Sequence, residues 1–227
     1  MSTARETARK PAVYARTPRT RLKRTPARAN YDVDAVHAVL DAGLLCHIGY
    51  VVDGKPYVTP TAYWREDEYV YWHSATAGRM ARHQAAGADV AFTVSHFDAL
   101  VMARSAFHHS VNYRSVMAFG RCEEVTDQDE RLRQLERFIE RIAPGRWDDI
   151  RAPNAREMRK TSVLRLKLEE VVLKSRSAPV NDDDEDMAIP VWAGLLPVET
   201  RIGNPQSDPQ LADGIAVPRG LRKLSTN

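Results

Sequence analysis

The sequence predicts a mainly β protein of the α+β class, built as a closed or split β-barrel of six or so antiparallel strands with flanking helices. β-Rich segments follow one another through turns too short for crossover connections, as at Asp53-Gly54. Few segments show the apolar periodicity of a helix. No Gly-x-Gly-x-x-Gly or P-loop pattern occurs, which disfavours a nucleotide-binding parallel sheet.

The first half of the chain predicts one helix and a strand meander. Residues 31–43 carry an apolar stripe at helical spacing, with Asp32 as the N-cap and Gly43 at the end. The next β-rich segments are separated by Asp53-Gly54 and by a polar turn at residues 65–68. They predict three strands over residues 44–52, 56–64 and 69–73.

The second half alternates helices and strands. A short helix is predicted over residues 77–86, and a long amphipathic one begins after Thr126 or Asp127 and ends at Pro144-Gly145. The β-rich segments between and after these helices predict strands over residues 90–96, 114–125 and 162–168, with an extension over residues 171–174.

Composition indicates one domain with tails. The chain has 227 residues, a formal net charge of +3 and 43% apolar residues, enough for one core. It has neither the run of about 20 apolar residues that a membrane span needs nor a signal-peptide pattern. Both cysteines, Cys46 and Cys122, lie among apolar residues and are expected to be buried, reduced thiols. We therefore expect a cytoplasmic protein.

The charge is unevenly distributed. Residues 1–29 contain nine basic residues and one acidic residue, Glu6. Residues 1–28 are predicted to be a disordered basic arm, which is open to three interpretations: a solubilising or subunit-binding tail, an organelle transit peptide, or a contact with nucleic acid or an acidic partner. The acidic run at residues 182–186 predicts a solvated loop. Residues 29–198 form the expected domain, and residues 199–227 an extended tail.

One candidate site lies where a predicted strand leads into a helix. The segment His73-Ser74-Ala75-Thr76-Ala77-Gly78-Arg79 combines hydroxyls, a glycine and an arginine. Backbone N–H groups at a helix N-terminus favour an anion, and Arg79 is suited to a phosphate. An ordinary N-cap is the alternative interpretation.

A second candidate is the polar segment of residues 104–115, which interrupts two apolar stretches. Its side chains must be satisfied internally, as in a surface hairpin, or must face a ligand. The adjacent His108 and His109 would point to opposite faces of a strand, so no metal site is expected there. A Ser-His-Asp hydrolase is disfavoured because no Gly-x-Ser-x-Gly elbow is present.

Five ordered blocks over residues 28–198 resemble the pyridoxamine 5′-phosphate oxidase-related, FMN-binding split-barrel family, in particular its nitroimidazole-resistance (Nim) reductase branch. These blocks are residues 44–52, 56–61, 71–79, 103–120 and 190–194. The arginine-containing C-terminal substrate motif of the true pyridoxamine-phosphate oxidases is missing from residues 220–227, so vitamin B6 oxidation is not expected.

The resemblance implies a six-stranded split barrel that forms a homodimer, with FMN in a groove between the two copies. Along the flavin ring it places Val58, Thr59, Pro60 and Thr61. Toward the phosphate and ribityl chain it places His73, Ser74, Thr76, Gly78 and Arg79. To the same cofactor site it assigns Asn112, Tyr113, Arg114 and Ser115.

The expected function is that of an FMN-dependent oxidoreductase. NADH or NADPH would reduce the flavin, and a small nitro- or quinone-type substrate would accept the electrons. His73 is the expected proton donor beside the flavin. Neither a membrane nor a nucleic acid is an expected partner. Two alternatives stay open: a haem protein that uses His73, His108 or His109 as axial ligand, and a non-catalytic flavin-binding module whose basic arm contacts a partner.

Overall fold

The computed structural model describes residues 12–225, in which nine strands form one sheet and five helices flank it. In chain order these elements are β1 (Ala29–Asn30), α1 (Val33–Ala42), β2 (Leu45–Val52), β3 (Lys55–Glu66), β4 (Tyr69–Ala75), α2 (Arg79–Ala85), β5 (Asp89–Met102), β6 (Ser110–Glu124), α3 (Gln128–Ile142), α4 (Ala155–Lys160), β7 (Thr161–Lys167), β8 (Glu170–Arg176), β9 (Gly194–Pro197) and α5 (Arg219–Leu224).

Six of the strands close into a barrel. The antiparallel pairings run β2–β3–β4–β7–β6–β5, and β5 returns to β2. Outside this ring β8 pairs with β6, β1 pairs with β8, and β9 pairs with β5. The predicted mainly β, six-stranded antiparallel split barrel is therefore confirmed.

The split in the barrel lies between β3 and β4. Residues 55–62 of β3 pair with β2, whereas residues 63–66 pair with β4. Residues 73–75 of β4 pair with β7 alone. The first part of β3 and the last part of β4 therefore diverge and leave a gap between the two strands.

The helix boundaries follow from the capping residues expected from the sequence. The Asp32 carboxylate accepts a hydrogen bond from Ala35 N at 2.8 Å, and that of Asp127 accepts one from Glu130 N at 2.8 Å. Gly43 follows α1 with a negative φ of −102°. A Cβ there would lie 2.8 Å from Tyr63 Oη, so the glycine permits a close approach to the barrel.

The buried apolar residues form two clusters. The larger fills the barrel and includes Trp72 and Phe92, both with 0% exposure. The smaller, here called the outer cluster, lies between the barrel wall and α3. It consists of Trp64, Tyr71, Val125 and Val163, with Tyr69, Leu135 and Phe138 packed against them.

Both cysteines are free and buried, as predicted. Cys46 lies on β2 and Cys122 on β6. Burial raises the pKa of each thiol to about 12, so both are protonated at neutral pH.

The expectation of a disordered basic arm is wrong for residues 12–28, while residues 1–11 lie outside the described residues. Tyr14 and Thr20 are buried. Tyr14 Oη lies 3.0 Å from His37 Nε2, and Tyr31 Oη donates to Thr20 O at 2.8 Å. Arg19 pairs with Glu170. Two tyrosines and a few hydrogen bonds thus anchor a segment whose composition alone indicates disorder.

The acidic run is likewise not simply solvated. The Asp182 side chain is fully buried; it accepts hydrogen bonds from Arg104 N and Arg104 Nη1, both at 2.9 Å. Asp183 pairs with His108 at 3.0 Å. Ion pairing with the 104–109 segment therefore fixes this loop against the barrel.

The C-terminal residues 199–225 are largely exposed, and α5 is the only helix or strand the structure shows among them. No helix within residues 12–225 has the length and apolar character needed to cross a membrane.

Candidate functional site

The two faces of β4 separate the residues expected in one site. Trp72 points into the barrel, where its Nε1 donates to Gln84 Oε1 at 3.0 Å. His73 points to the opposite side, as alternation along a strand requires. Its ring centroid lies 4.8 Å from that of Phe138 on α3 and 6.3 Å from that of Trp64. His73 therefore belongs to the outer face of the barrel, beside the outer cluster, and not to the 74–79 corner.

A cavity of about 400 Å³ adjoins His73 on this outer face. It lies between β4, α3 and the segment of residues 143–160. Most of its wall is apolar, contributed by Leu135, Phe138, Ile139, Trp147, Ile150 and Pro153. The remaining lining residues are His73, Arg151, Glu157 and Thr161. A large apolar cavity with few polar groups is the usual form of a site for a small ligand or cofactor.

His73 has the properties of a ligand-binding imidazole. Its Nδ1 atom is buried and has no hydrogen-bond partner among the described residues. Burial lowers the pKa of His73 from its usual value, which favours the neutral ring. A neutral imidazole is the form that coordinates a metal. A buried nitrogen without a partner is also energetically costly, so a group that engages the ring would stabilise it.

The split between β3 and β4 offers a second, more polar site. The Arg79 guanidinium lies over the ring of Tyr57, 4.1 Å from its centroid, and so links α2 to β3. Tyr57 in turn stacks on Tyr50 at 5.7 Å. Arg79 is exposed and has no carboxylate partner among residues 12–225. Its charge is therefore accessible from solvent; that it binds an anion stays a prediction.

The four residues expected along the flavin ring lie on both faces of β3. Thr59 and Thr61 alternate with Val58 and Pro60. Thr59 Oγ1 lies 3.2 Å from Tyr50 Oη, while Val58 is 67% exposed on the other face. One flat ring could contact only one of these two faces through side chains.

The 73–79 corner uses several of its polar groups internally. Thr76 N donates to Lys160 O at 2.9 Å, and its hydroxyl accepts from Ser162 Oγ at 3.2 Å. Gly78 N donates to Ala75 O at 2.8 Å. Because α2 has only seven residues, its dipole is also weaker than that of a long helix. Ser74 and Arg79 are left as the polar side chains that could hold an anion.

Asn112 has a structural role in the described chain. Its Nδ2 donates to Ala178 O at 3.0 Å, and its Oδ1 accepts from Ala178 N at 3.2 Å and from Arg176 Nη1 at 2.5 Å. The buried side chain thus fastens the segment after β8 to β6. The expectation that Asn112 contributes to a cofactor site stays a prediction.

Arg114, Ser115 and Tyr113 are also engaged within the chain. Arg114 forms a two-armed ion pair with Asp98 at 2.8–3.2 Å, and this hydrogen bonding raises the pKa of Arg114. Ser115 Oγ donates to Lys174 O at 3.4 Å. Tyr113 lies under the Lys174 ammonium, 5.8 Å from its ring centroid.

Residues 112–115 lie some way along β6 from the point where that strand contacts the end of α2. Arg121 donates to Gly87 O at the end of α2 at 2.9 Å, and Arg114 lies seven residues before it on the same strand. Seven residues of strand span on the order of 20 Å. The resemblance places the cofactor between two copies of the chain, so a site shared by Arg114 and Arg79 stays a prediction for the dimer.

The two adjacent histidines are engaged elsewhere. His108 Nε2 contacts Asp183, which raises the pKa of His108, and His109 Nδ1 contacts Ser105 O at 2.8 Å. Of the three histidines considered as axial ligands, His73 alone lines the apolar cavity.

Sequence reasoning missed the wall of this cavity. The sequence predicts α3 as an amphipathic helix without assigning a partner to its apolar face, and it predicts no element over residues 146–157. The available signal was the pair Trp147 and Ile150, two large apolar residues in a loop directly after Pro144-Gly145. Large apolar side chains outside a predicted strand or helix favour burial against another part of the protein.

Comparisons with known proteins agree with the barrel. The family model described as pyridoxamine 5′-phosphate oxidase matches residues 32–191. The flavocytochrome Anf3 from Azotobacter vinelandii is 39% identical, with a TM-score of 0.87 over 92% of this chain and 97% of that one. The FAD and haem binding protein from Mycobacterium smegmatis is 30% identical, with a TM-score of 0.84 over 87% and 97%.

A candidate 5-nitroimidazole antibiotic resistance protein from Bacteroides thetaiotaomicron is more distant. It is 20% identical, with a TM-score of 0.55 over 65% of this chain and 86% of that one, and so shares the fold. A search of curated proteins found no match to this sequence.

The role of Asn112 can be tested without any cofactor. We expect Asn112→Ala to lower the free energy of unfolding by about 1–3 kcal/mol, because Ala178 and Arg176 lose buried hydrogen bonds. Urea unfolding followed by circular dichroism measures this change. Asn204→Ala, at an exposed position, should leave stability unchanged. Equal stability of the two variants would contradict the structural role.

Proposed function

Because the chain belongs to the pyridoxamine 5′-phosphate oxidase family, we propose that it binds both a flavin and a haem and transfers electrons between them. Two relatives support the pair of cofactors. The protein that is 39% identical is a flavocytochrome, and the one that is 30% identical is named for FAD and haem. The structural alignment with each of them covers more than four fifths of this chain.

The observation that carries the haem assignment is His73 in its apolar cavity. A b-type haem needs a flat apolar slot and an axial ligand, most often a neutral histidine. His73 supplies an imidazole whose Nδ1 has no partner in the described chain, and Leu135, Phe138 and Trp147 supply the apolar wall. The residues present therefore fit the group.

His73 would hold the haem iron, and the residues of α3 and of the 146–153 segment would exclude water from its ring. A bound haem supplies one-electron chemistry at its iron. The neutral state of His73, favoured by burial, keeps its ring nitrogen free to coordinate. This role replaces that of a proton donor beside a flavin, because the side chain of His73 lies on the other face of β4.

The flavin is assigned to the split between β3 and β4. Arg79, which has no carboxylate partner among residues 12–225, offers a positive charge to a phosphate. Ser74 offers a hydroxyl at the same corner. We favour FAD over the FMN that the sequence resemblance implies, since the M. smegmatis relative is named for FAD. Reduction by NADH or NADPH and a nitro- or quinone-type acceptor stay predictions of the resemblance.

A homodimer would complete the flavin site. In one chain Arg79 and the Asn112–Ser115 group are far apart, so a second copy is needed for residues of β6 to approach the 74–79 corner. Exposed apolar side chains support this pairing: Val58 is 67% exposed and Phe97 is 47% exposed. Such side chains favour burial against another surface.

The haem assignment predicts a distinctive spectrum. We expect the purified protein to show a Soret band together with a flavin released on denaturation. His73→Ala should lose the Soret band and keep the flavin, because the two sites lie on opposite faces of the barrel wall. His109→Ala is the matched control and should keep both. A Soret band that survives in His73→Ala would contradict the assignment.

The flavin assignment predicts a separate effect of Arg79. Arg79→Gln should weaken flavin binding by about 1–3 kcal/mol through the loss of one charge-assisted contact. Fluorescence titration with FAD measures this change. Arg82→Gln, also exposed on α2, removes the same charge and should bind FAD as the wild type does. Unchanged affinity in Arg79→Gln would place the phosphate elsewhere.

The homodimer predicts a doubled mass. Sedimentation equilibrium should give a particle of twice the 25.6 kDa chain mass. Val58→Asp should shift this equilibrium toward the monomer, because a buried unpaired carboxylate opposes association. A wild-type chain that is monomeric at micromolar concentration and still binds flavin would contradict a shared site.

A further inference from the structure

One cationic side chain, that of Arg151, lines the cavity beside His73. Of the residues that form its wall, Arg151 alone carries a positive side chain of fixed charge. Its side chain is 69% exposed, whereas Nδ1 of His73 is buried. Arg151 therefore marks the solvent side of the cavity and His73 its inner side, with apolar residues between them.

Arg151 is held in place by Glu157. Arg151 Nη1 and Nη2 donate to the two oxygens of Glu157 at 2.8 and 2.6 Å, and Nη1 also donates to Ala152 O at 3.1 Å. Hydrogen bonding to Arg151 lowers the pKa of Glu157 to about 2, which favours the ionised carboxylate beside the charged guanidinium. The pair is fully charged at neutral pH.

Glu157 is itself fixed to the start of α4. It accepts a hydrogen bond from Asn154 N at 2.9 Å, while Asn154 Oδ1 accepts from Glu157 N at 3.0 Å. This reciprocal capping box orients the carboxylate before any ligand arrives. A guanidinium has five N–H donors, and Nε of Arg151 has no partner among the described residues, so donors are left for a second acceptor.

We propose that Arg151 recognises a carboxylate of the ligand that enters the His73 cavity, and that Glu157 positions Arg151 for this contact. The inference rests on the proposed function, in which the ligand is haem. Haem combines an apolar ring with two carboxylates at one edge. An apolar cavity with an imidazole inside and a guanidinium at its rim matches that distribution, because a guanidinium binds a carboxylate through paired hydrogen bonds.

The test compares two porphyrins that differ only in these carboxylates. The full-length chain is titrated with hemin and with the dimethyl ester of hemin, and binding is followed at the Soret band. The wild type should bind hemin about tenfold more tightly than the ester. Arg151→Gln should bind hemin more weakly and the ester as the wild type does, and should therefore lose this preference. Arg151→Lys should retain part of it.

Two further variants complete the test. Arg156→Gln removes a charge from an exposed position on α4, the helix that carries Glu157. This variant should keep the full preference for hemin. Glu157→Gln should reduce the preference without abolishing it, since Arg151 would then be held less firmly. A distorted cavity would weaken the binding of both porphyrins equally. The ratio of the two affinities therefore does not change when a substitution only damages the fold.

The outcomes separate this inference from the proposed function. Equal weakening of hemin and ester in Arg151→Gln, or no change in either, would overturn carboxylate recognition while leaving His73 as the haem ligand. A wild-type chain that binds neither porphyrin would overturn the haem assignment and this inference with it. A preference for hemin that disappears in Arg151→Gln alone supports both.

Discussion

Strand β4 forms part of the wall of a closed barrel, so consecutive side chains along it must lie on opposite sides of that wall. Trp72 fills the interior and His73 faces α3. This alternation makes room for two sites in a small domain. The split between β3 and β4 opens beside the 74–79 corner, while the His73 cavity opens on the outer face.

The position of α3 determines whether the outer face holds a cavity. Gln134 on α3 is buried, and its Oε1 accepts a hydrogen bond from Trp64 Nε1 at 2.7 Å. Its Nε2 donates to Glu66 at 2.5 Å. These contacts fix the rotation of the helix about its axis and so direct Leu135 and Phe138 to the side of His73. A buried amide that is fully hydrogen-bonded specifies one arrangement, which a purely apolar contact does less strictly.

Charged and polar segments contribute more to packing here than their composition indicates. Residues 12–28 carry six basic residues and no acidic one, yet Tyr14 and Thr20 are buried. The acidic run at residues 182–186 is tied down in the same way by Arg104 and His108. In both segments a few anchored side chains offset the entropy of ordering, which a count of charges does not register.

The sequence by itself determined the barrel, because strand alternation, Asp53-Gly54 and the caps Asp32 and Asp127 are local signals that act over a few residues. It also pointed to the 74–79 corner and to Arg79 as a cation suited to a phosphate. Only the tertiary structure decided that His73 turns away from that corner, that Asn112 and Arg114 are satisfied within the chain, and that residues 146–157 wall a cavity. Those outcomes depend on which distant residues meet across strands and helices, and local spacing carries no information about them.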